Sequence, residues 1–568
     1  MTSDSMLHEA KCIFQNKENI LKENKHLKNT VILLILNILI VLALIKNIRA
    51  ENSFELADDP SSDIFTVQSL FSVDTKSSLM TEGRDAYKKG DYETALTIFK
   101  EIAEINPDHY NAWIGVGNSL FNLGRFEDAI EAFGKATQIN PNKFEGWNNK
   151  GLLSLRLRKY PEAVEAFSHA IKIKPNSHEV CYNIGLVLSE LGKVKEAINA
   201  FDKALKLKPD FVEALDLKGL TLAQMRRFQE ALDVYEKAVA LMPTNDELVY
   251  RKGLMFLRLK RYEEAISVFD RVLELNPNHY VALIDKGMSL DDMGKGNEAI
   301  EAFDAALKIR PDFVEGWNVK GLSLTQQGRY AEAIVAFDKA LELNPNAHMV
   351  WSNKGLSQIF LKDYEVALVS IEKALQLSPD FFPAWTNKGL AFSGLNRYED
   401  ALKAFDRATE LQPDYTKAWV NKGEVLAQLK RYGEAIKAFD AAIEINPNLF
   451  EVWYNKGLVL YFLGKYDDAV KSFDNALILK PEYYEILNIK GMALSKLAKY
   501  DEAIKAYEIA LAVKSDFLDV LYNMACTYAL MGNKSKTSDT LSKLVQLNIS
   551  YKEKLSTDPL FKNYDILH

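Results

Sequence analysis

Asn149, Asn183, Asn353, Asn387, Asn421, Asn455 and Asn523 stand 34 residues, or a multiple of 34, apart. A carboxamide carries both a donor and an acceptor, the pair needed to hold the backbone of an extended peptide. The spacing therefore points to a line of amides along a groove, with Asn149, Asn183, Asn353, Asn387, Asn421 and Asn455 as the candidate peptide-binding residues. The run from Asn353 to Asn455 is uninterrupted, and the ladder lapses where Leu217, Arg251, Asp285 and Val319 stand instead. An exposed helix also tolerates Asn with no ligand, so the column has two readings. Beside it, Lys150, Lys218, Lys252, Lys286, Lys320, Lys354, Lys388, Lys422, Lys456 and Lys490 form a second column. Their stems can pack while the ammonium reaches a rim, to pair with a nearby acid or to recognise an anion. A third column, with Leu152, Leu186, Leu356 and Leu458 among its members, is either a ligand strip or packing between neighbours.

Residue types that do covalent or metal chemistry show no comparable order. His109, His178, His279 and His348 lack the spacing of metal ligands, and Cys12, Cys181 and Cys526 are too scattered for a disulfide framework or a zinc site. Gly294, Lys295 and Gly296 form a glycine-rich turn without the strand before it, or the Lys-Ser or Lys-Thr after it, of a phosphate loop. The sequence shows no nucleophile-base pair or carboxylate dyad above its charged background. We therefore expect no enzyme, no metal and no cofactor. A net charge of -8 over 568 residues also argues against a nucleic-acid binder, which needs a basic stripe for phosphate.

The columns require an element that repeats every 34 residues, and residues 450–483 show what it is. Trp453, Gly457 and Leu460 share one face of a first helix, and Ala469, Phe473 and Ala476 share one face of a second. Gly464 suits the left-handed end of the first helix, and Pro481 stops the second. Fourteen such hairpins run from Lys76 to Tyr551. All seven tryptophans fall at the fourth position of a unit, Gly fills the eighth in thirteen units and Ala the twentieth in thirteen. Between units, Asn142 to Glu145 and Asp210 to Glu213 read as capping boxes, and Phe211, Phe313, Phe382 and Tyr484 as packing across neighbours. Turn residues such as Arg329, Arg397, Arg431 and Lys465 suit the negative end of the first helix.

The 34-residue period with its W, G, Y, A, F, P pattern resembles the tetratricopeptide repeat family over about five sixths of the chain. The resemblance implies an all-α fold, an α-solenoid of helical hairpins stacked in a right-handed superhelix, whose first helices line a concave surface. It implies a non-catalytic scaffold that binds protein or peptide partners. The array is also similar to the repeat region of the O-linked N-acetylglucosamine transferases, in which an asparagine ladder holds peptide. An accessory or transferase-like role in O-linked glycosylation is the competing reading, although only a short tail follows the repeats. The Lys and Asn set with which some family members clamp chaperone tails is absent.

Ahead of the array, Val31 to Ile45 is an apolar run broken by Asn37. Fifteen helical residues span ~22 Å against a hydrocarbon core of ~30 Å, a gap that snorkelling lysines would close. We read residues 31–48 as a transmembrane anchor, with a signal-peptide h-region cleaved near Ala50 as the alternative. The lysines before the run keep residues 1–30 cytoplasmic, and this predicts a single-pass membrane protein with an extracytoplasmic array. Residues 51–75 read as an acidic tether, 76–551 as the repeats and 552–568 as a capping tail that starts a helix at Asp558 and Pro559.

Overall fold

A computed structural model describes residues 78–561 and residue 564. Among the described residues it contains 29 α-helices and no strand, numbered here from α1 (Ser78–Lys88) and α2 (Tyr92–Ile105) to α27 (Leu518–Leu530), α28 (Lys534–Leu547) and α29 (Tyr551–Thr557). Successive pairs form helical hairpins, a first helix of mostly 13 residues against a second of 14. The fold is an all-α solenoid. It divides into two compact units, one ending at Asp312 with hairpins 1 to 7 and one beginning at Phe313 with hairpins 8 to 14.

The repeated small residues set the distance between paired helices. A Cβ built on Gly457 would stand 2.5 Å from the Phe473 ring, so only glycine lets that ring seat in the crossing. The same ring position is fully buried in Phe133, Phe167, Phe201, Phe269, Phe303 and Phe337. Ala401, at the twentieth position, is likewise fully buried. Between the helices Gly464 has φ +77°, and the equivalent residue is left-handed even where it has a side chain, as in Arg158, Lys362 and Ala498. The backbone turn is therefore fixed by the hairpin rather than by the residue type.

Junctions are tied by the tryptophans. The Nε1–H of Trp453 donates to the Pro447 carbonyl at 3.0 Å, and Trp113, Trp147, Trp351, Trp385 and Trp419 make the same bond to the proline before them. Aromatics pack across junctions as the sequence suggests: Phe382 meets Tyr415 edge-on at 4.8 Å and Tyr484 meets Phe517 at 5.1 Å.

Three local expectations are corrected. The residues at the helix-start junctions sit one place too early for a capping box: the N-caps are Lys143 and Phe211, neither with a side-chain cap bond among the described residues. Side-chain caps come instead from His109 and His279, whose Nδ1 accepts from Ala112 and Ala282. The turn arginines serve the second helix, not the first. Arg329 is its N-cap residue and binds Glu332 through two bonds of 2.7 and 2.6 Å, and Arg431 binds Glu434 in the same way. Asp558 follows α29 rather than opening a helix, and it accepts from the Tyr522 hydroxyl at 2.7 Å, while Leu555 and Phe561 are buried against Leu541 and Leu544.

The expectation of a single-pass membrane protein with its array outside the cytoplasm is also corrected. Among the described residues no helix is long and apolar enough to cross a membrane. The hairpin helices reach 14 residues, ~21 Å, and bury one face while keeping the other polar. The segments 1–30, 31–48 and 51–75 lie outside the described residues.

Candidate protein-interaction face

Within each unit, successive first helices pack closely together, more than successive second helices do, so the first helices form the inner row of the stack. The asparagine column lies on that row. Asn149, Asn353, Asn387 and Asn455 are buried, with 6 to 8% of their surface exposed, and each turns its Nδ2 toward the hairpin before it. Asn353 donates to the Asn318 Oδ1 at 3.0 Å, and Asn387 donates to the Ser352 Oγ at 3.0 Å. Asn149 reaches Asn118 at 3.2 Å and Asn455 reaches the Glu424 Oε1 at 2.9 Å. These four amides therefore act first as staples between hairpins, each with an N–H donor already engaged.

The partner sits at the fifth position of the preceding unit, or at its ninth. That partner is missing for Asn421. The residue at the fifth position before it is Thr386, whose hydroxyl donates to the Phe382 carbonyl of its own helix at 3.1 Å. Among the described residues neither Asn421 nor Asn183 has a hydrogen-bond partner, and both are half-buried rather than enclosed. Asn523 donates to the Asn488 Oδ1 at 3.0 Å in the same way, so among the described residues the column carries two carboxamides without a partner, Asn183 and Asn421, among five that bond the hairpin before them.

At two of the four places where the ladder lapses, charge takes the same position. Arg251 forms an ion pair with Asp216 at 3.2 Å and donates through its Nε to the Glu247 Oε1 at 2.9 Å, one helical turn away. Asp285 is buried and takes a 2.7 Å hydrogen bond from the Tyr250 hydroxyl. Burial pushes its carboxyl up to about 6, against the lowering effect of the Tyr250 bond and of Arg258. Sequence reasoning noted the gaps at Arg251 and Asp285 but not that they preserve the same hairpin-to-hairpin contact in charged form. The repeated pairing of a fifth with a following sixth position was the available signal.

The lysine column is a set of bridges. Lys218, Lys286, Lys354, Lys422, Lys456 and Lys490 each reach an aspartate on the second helix of the preceding hairpin within 2.5 to 2.7 Å. Lys354, Lys388, Lys422 and Lys456 also stand over the tryptophan of their own helix at 4.8 to 5.4 Å from its centroid. Their charge is answered within the chain. In the leucine column Leu322, Leu356 and Leu458 are buried, which makes those members packing rather than a ligand strip.

Hairpin 11 departs from this pattern at its first helix, Thr416–Gln428. Lys417 occupies the second position, where other units carry Glu, Asp or an uncharged residue. It is half-buried, and among the described residues it has no ion-pair or hydrogen-bond partner. Burial alone pushes its ammonium down to about 8. Among the described residues no group of three or more His, Cys, Asp or Glu could hold a metal ion.

Models of the tetratricopeptide repeat match residues 284–348 and 386–449, 248–279 and 450–483, and 350–381 and 484–517. The model of the cilia and flagella-associated protein 70 C-terminal domain matches residues 83–252. The chain belongs to the tetratricopeptide repeat family. Among solved structures, the repeat chain is similar to the APC/C hetero-tetramer Cut9-Hcn1, at 17% identity and a TM-score of 0.36, over 85% of this chain and 95% of that one. It is similar to MamA at 24% identity and a TM-score of 0.28, over 28% of this chain and 94% of that one. It is also similar to YrrB, described as a TPR protein with an unusual peptide-binding site, at 28% identity and a TM-score of 0.29, over 33% of this chain and 96% of that one. No curated protein matches the chain. Repeats of this family are generally non-catalytic scaffolds for protein–protein interaction.

Proposed function

We propose that the chain is a non-catalytic scaffold that holds extended segments of partner proteins along its row of first helices. The candidate residues are Asn149, Asn183, Asn353, Asn387, Asn421 and Asn455, and the observation that carries this reading is that Asn183 in one unit and Asn421 in the other keep a carboxamide without a hydrogen-bond partner among the described residues, while the other four staple neighbouring hairpins. Within each unit the staples between hairpins preset the spacing of the binding groups, so less ordering is needed when a partner arrives. Repetition then adds contacts without requiring each side chain of the partner to be read.

The test begins with peptides selected from a random twelve-residue library on the full chain, followed by fluorescence anisotropy with the best binder. A single neutral hydrogen bond is worth ~0.5 to 1.5 kcal/mol, so Asn421→Ala should weaken binding about 2- to 12-fold. Arg431→Ala, at a turn already paired with Glu434, should leave the affinity unchanged. Equal binding by Asn421→Ala and the unaltered chain, with loss in Arg431→Ala, would move the partner to the other side of the stack.

A further inference from the structure

The second helices keep one face polar, and hairpins 8 and 9 break that rule. The nineteenth position is Asp or Glu throughout hairpins 2 to 13 except at Val366, in hairpin 9. That acid answers the base three residues before it, as Glu332 answers Arg329 and Glu434 answers Arg431. Hairpin 9 has lost both members, with Asp363 at the turn and Val366 after it. The twenty-second position is polar or charged in every hairpin except at Val335 in hairpin 8 and Val369 in hairpin 9. Val335, Val366 and Val369 are 60, 54 and 69% exposed, so they add nothing to the core of their own chain. Beside Val369 a groove of about 540 Å³ opens between hairpins 9 and 10, lined by Leu368, Phe392 and Leu395 and edged by Glu365 and Arg397. Apolar surface gathered in one place and rimmed by charge marks a contact site. Two of the rim charges are answered within the chain, Arg397 by Asp400 at 2.8 Å and Glu372 by Lys388 at 3.5 Å. Glu365 and Lys373 are exposed, and among the described residues their side chains have no ion-pair or hydrogen-bond partner.

We propose that this outer face binds a second copy of the chain about a two-fold axis, with α18 (Tyr364–Leu377) packed antiparallel on the partner's α18 and Val369 at the axis. Glu365, Val369 and Lys373 are spaced by four and form one ridge of that helix. In an antiparallel pair, residues equally far on either side of the centre come to the same height. Glu365 stands four residues before Val369 and Lys373 four after it, so Glu365 comes level with the partner's Lys373. The symmetry makes that opposite-charge pair twice. A parallel pair would set Glu365 level with the partner's Glu365, which selects the antiparallel arrangement. Val335 holds the same place on α16 (Tyr330–Leu343) as Val369 does on α18, and the same axis carries it to the partner's Val335. In hairpin 10 that place is Lys403, where the apolar patch ends. The contact is a few helices wide, so the dimer is expected at micromolar rather than nanomolar concentration. It uses the second helices, and it leaves the first helices of each copy open to the partner segments proposed above.

The experiment is sedimentation velocity of the full chain over a concentration series, with each variant first shown to keep its helical circular dichroism. The unaltered chain should pass from monomer to dimer as its concentration rises. Val369→Glu sets two carboxylates against each other at the axis and should weaken the dimer at least about tenfold. Glu365→Lys alone and Lys373→Glu alone each replace both cross-pairs by like charges, and each should weaken it at least about tenfold. The double variant restores opposite charges and should dimerise like the unaltered chain. An equimolar mixture of the two single variants should also dimerise, because each copy then offers the charge that the other lacks. A chain that stays monomeric throughout leaves the face to some other partner and overturns the proposal. A dimer that ignores Val369→Glu overturns it by placing the contact elsewhere. A mixture that associates no better than its two components overturns the antiparallel two-fold.

Discussion

Lys417→Met should stabilise the protein, the opposite of what most substitutions of a half-buried residue do. The ammonium falls from its ordinary 10.5 to about 8 because burial removes water without supplying an anion. At ~1.4 kcal/mol per tenfold change in proton affinity, this corresponds to roughly 3 kcal/mol against the charged form at neutral pH, and residual solvent contact brings the expected gain to about 1–3 kcal/mol. The residue also sits in the first turn of its helix, where a cation opposes the helix dipole. Met keeps the stem volume and drops the charge. The pH dependence follows from which state holds more protons. Below about pH 8 both folded and unfolded chains carry the charge, and the penalty is complete. Between about 8 and 10.5 the folded chain releases the proton first, so the unfolded state binds more and stability rises with pH. The assay is urea unfolding followed by circular dichroism at pH 7 and pH 10, read as the difference between variant and unaltered chain so that the other lysines cancel. Lys417→Met should be more stable at pH 7, and the gap should shrink at pH 10. A variant no more stable at pH 7, with a difference that ignores pH, would mean that Lys417 already has its counterion.

Two further changes test the fold. Ala401→Leu should cost ~1 to 3 kcal/mol in urea unfolding, because the methyl is fully enclosed where the paired helices cross, and an unchanged midpoint would mean that the crossing has room. Asp285→Asn should remove a pH dependence of the opposite sign to that of Lys417. With the folded carboxyl pushed up from 3.8 to about 6, the folded state holds more protons between those values, so stability falls as pH rises through that window. Asn can still accept from Tyr250, and the variant should match or exceed the unaltered chain at pH 7 while losing that slope; a retained slope would assign the titration to another group.

The hairpin was legible because its signal is local and redundant. Gly457, Phe473 and Trp453 recur at fixed places, and each has one physical job: close approach, ring burial and a junction bond to Pro447. The amide column was legible as residue types but not as a set of occupied and unoccupied donors. That depends on the residue facing it from the hairpin before, and the facing position holds Asn318, Ser352, Tyr250 or Asn488 in different units, too varied to read as a column. Lys417 escaped for the same reason: a lysine on a helix reads as solvated until the absence of an acid around it is known. The turn arginines were misplaced by one helix because Arg329 stands in the short turn between the two, and the two-bond geometry to Glu332 decides. The membrane reading rested on the apolar run 31–45 and the lysines around it, which lie outside the described residues, and the described helices supply no span.

The most direct test of the central claim, that partners lie along the first helices, is site-specific photocrosslinking to a library-selected peptide. Benzoylphenylalanine replaces either Gln428 or Lys437 in the full chain. Gln428 is exposed and falls seven residues beyond Asn421 on the same face of the first helix, and Lys437 is exposed on the second helix of the same hairpin. The account predicts crosslinked peptide from the Gln428 variant, competed away by unlabelled peptide, and little from the Lys437 variant. Crosslinking confined to the Lys437 variant would contradict it, because the partner would then ride on the second helices.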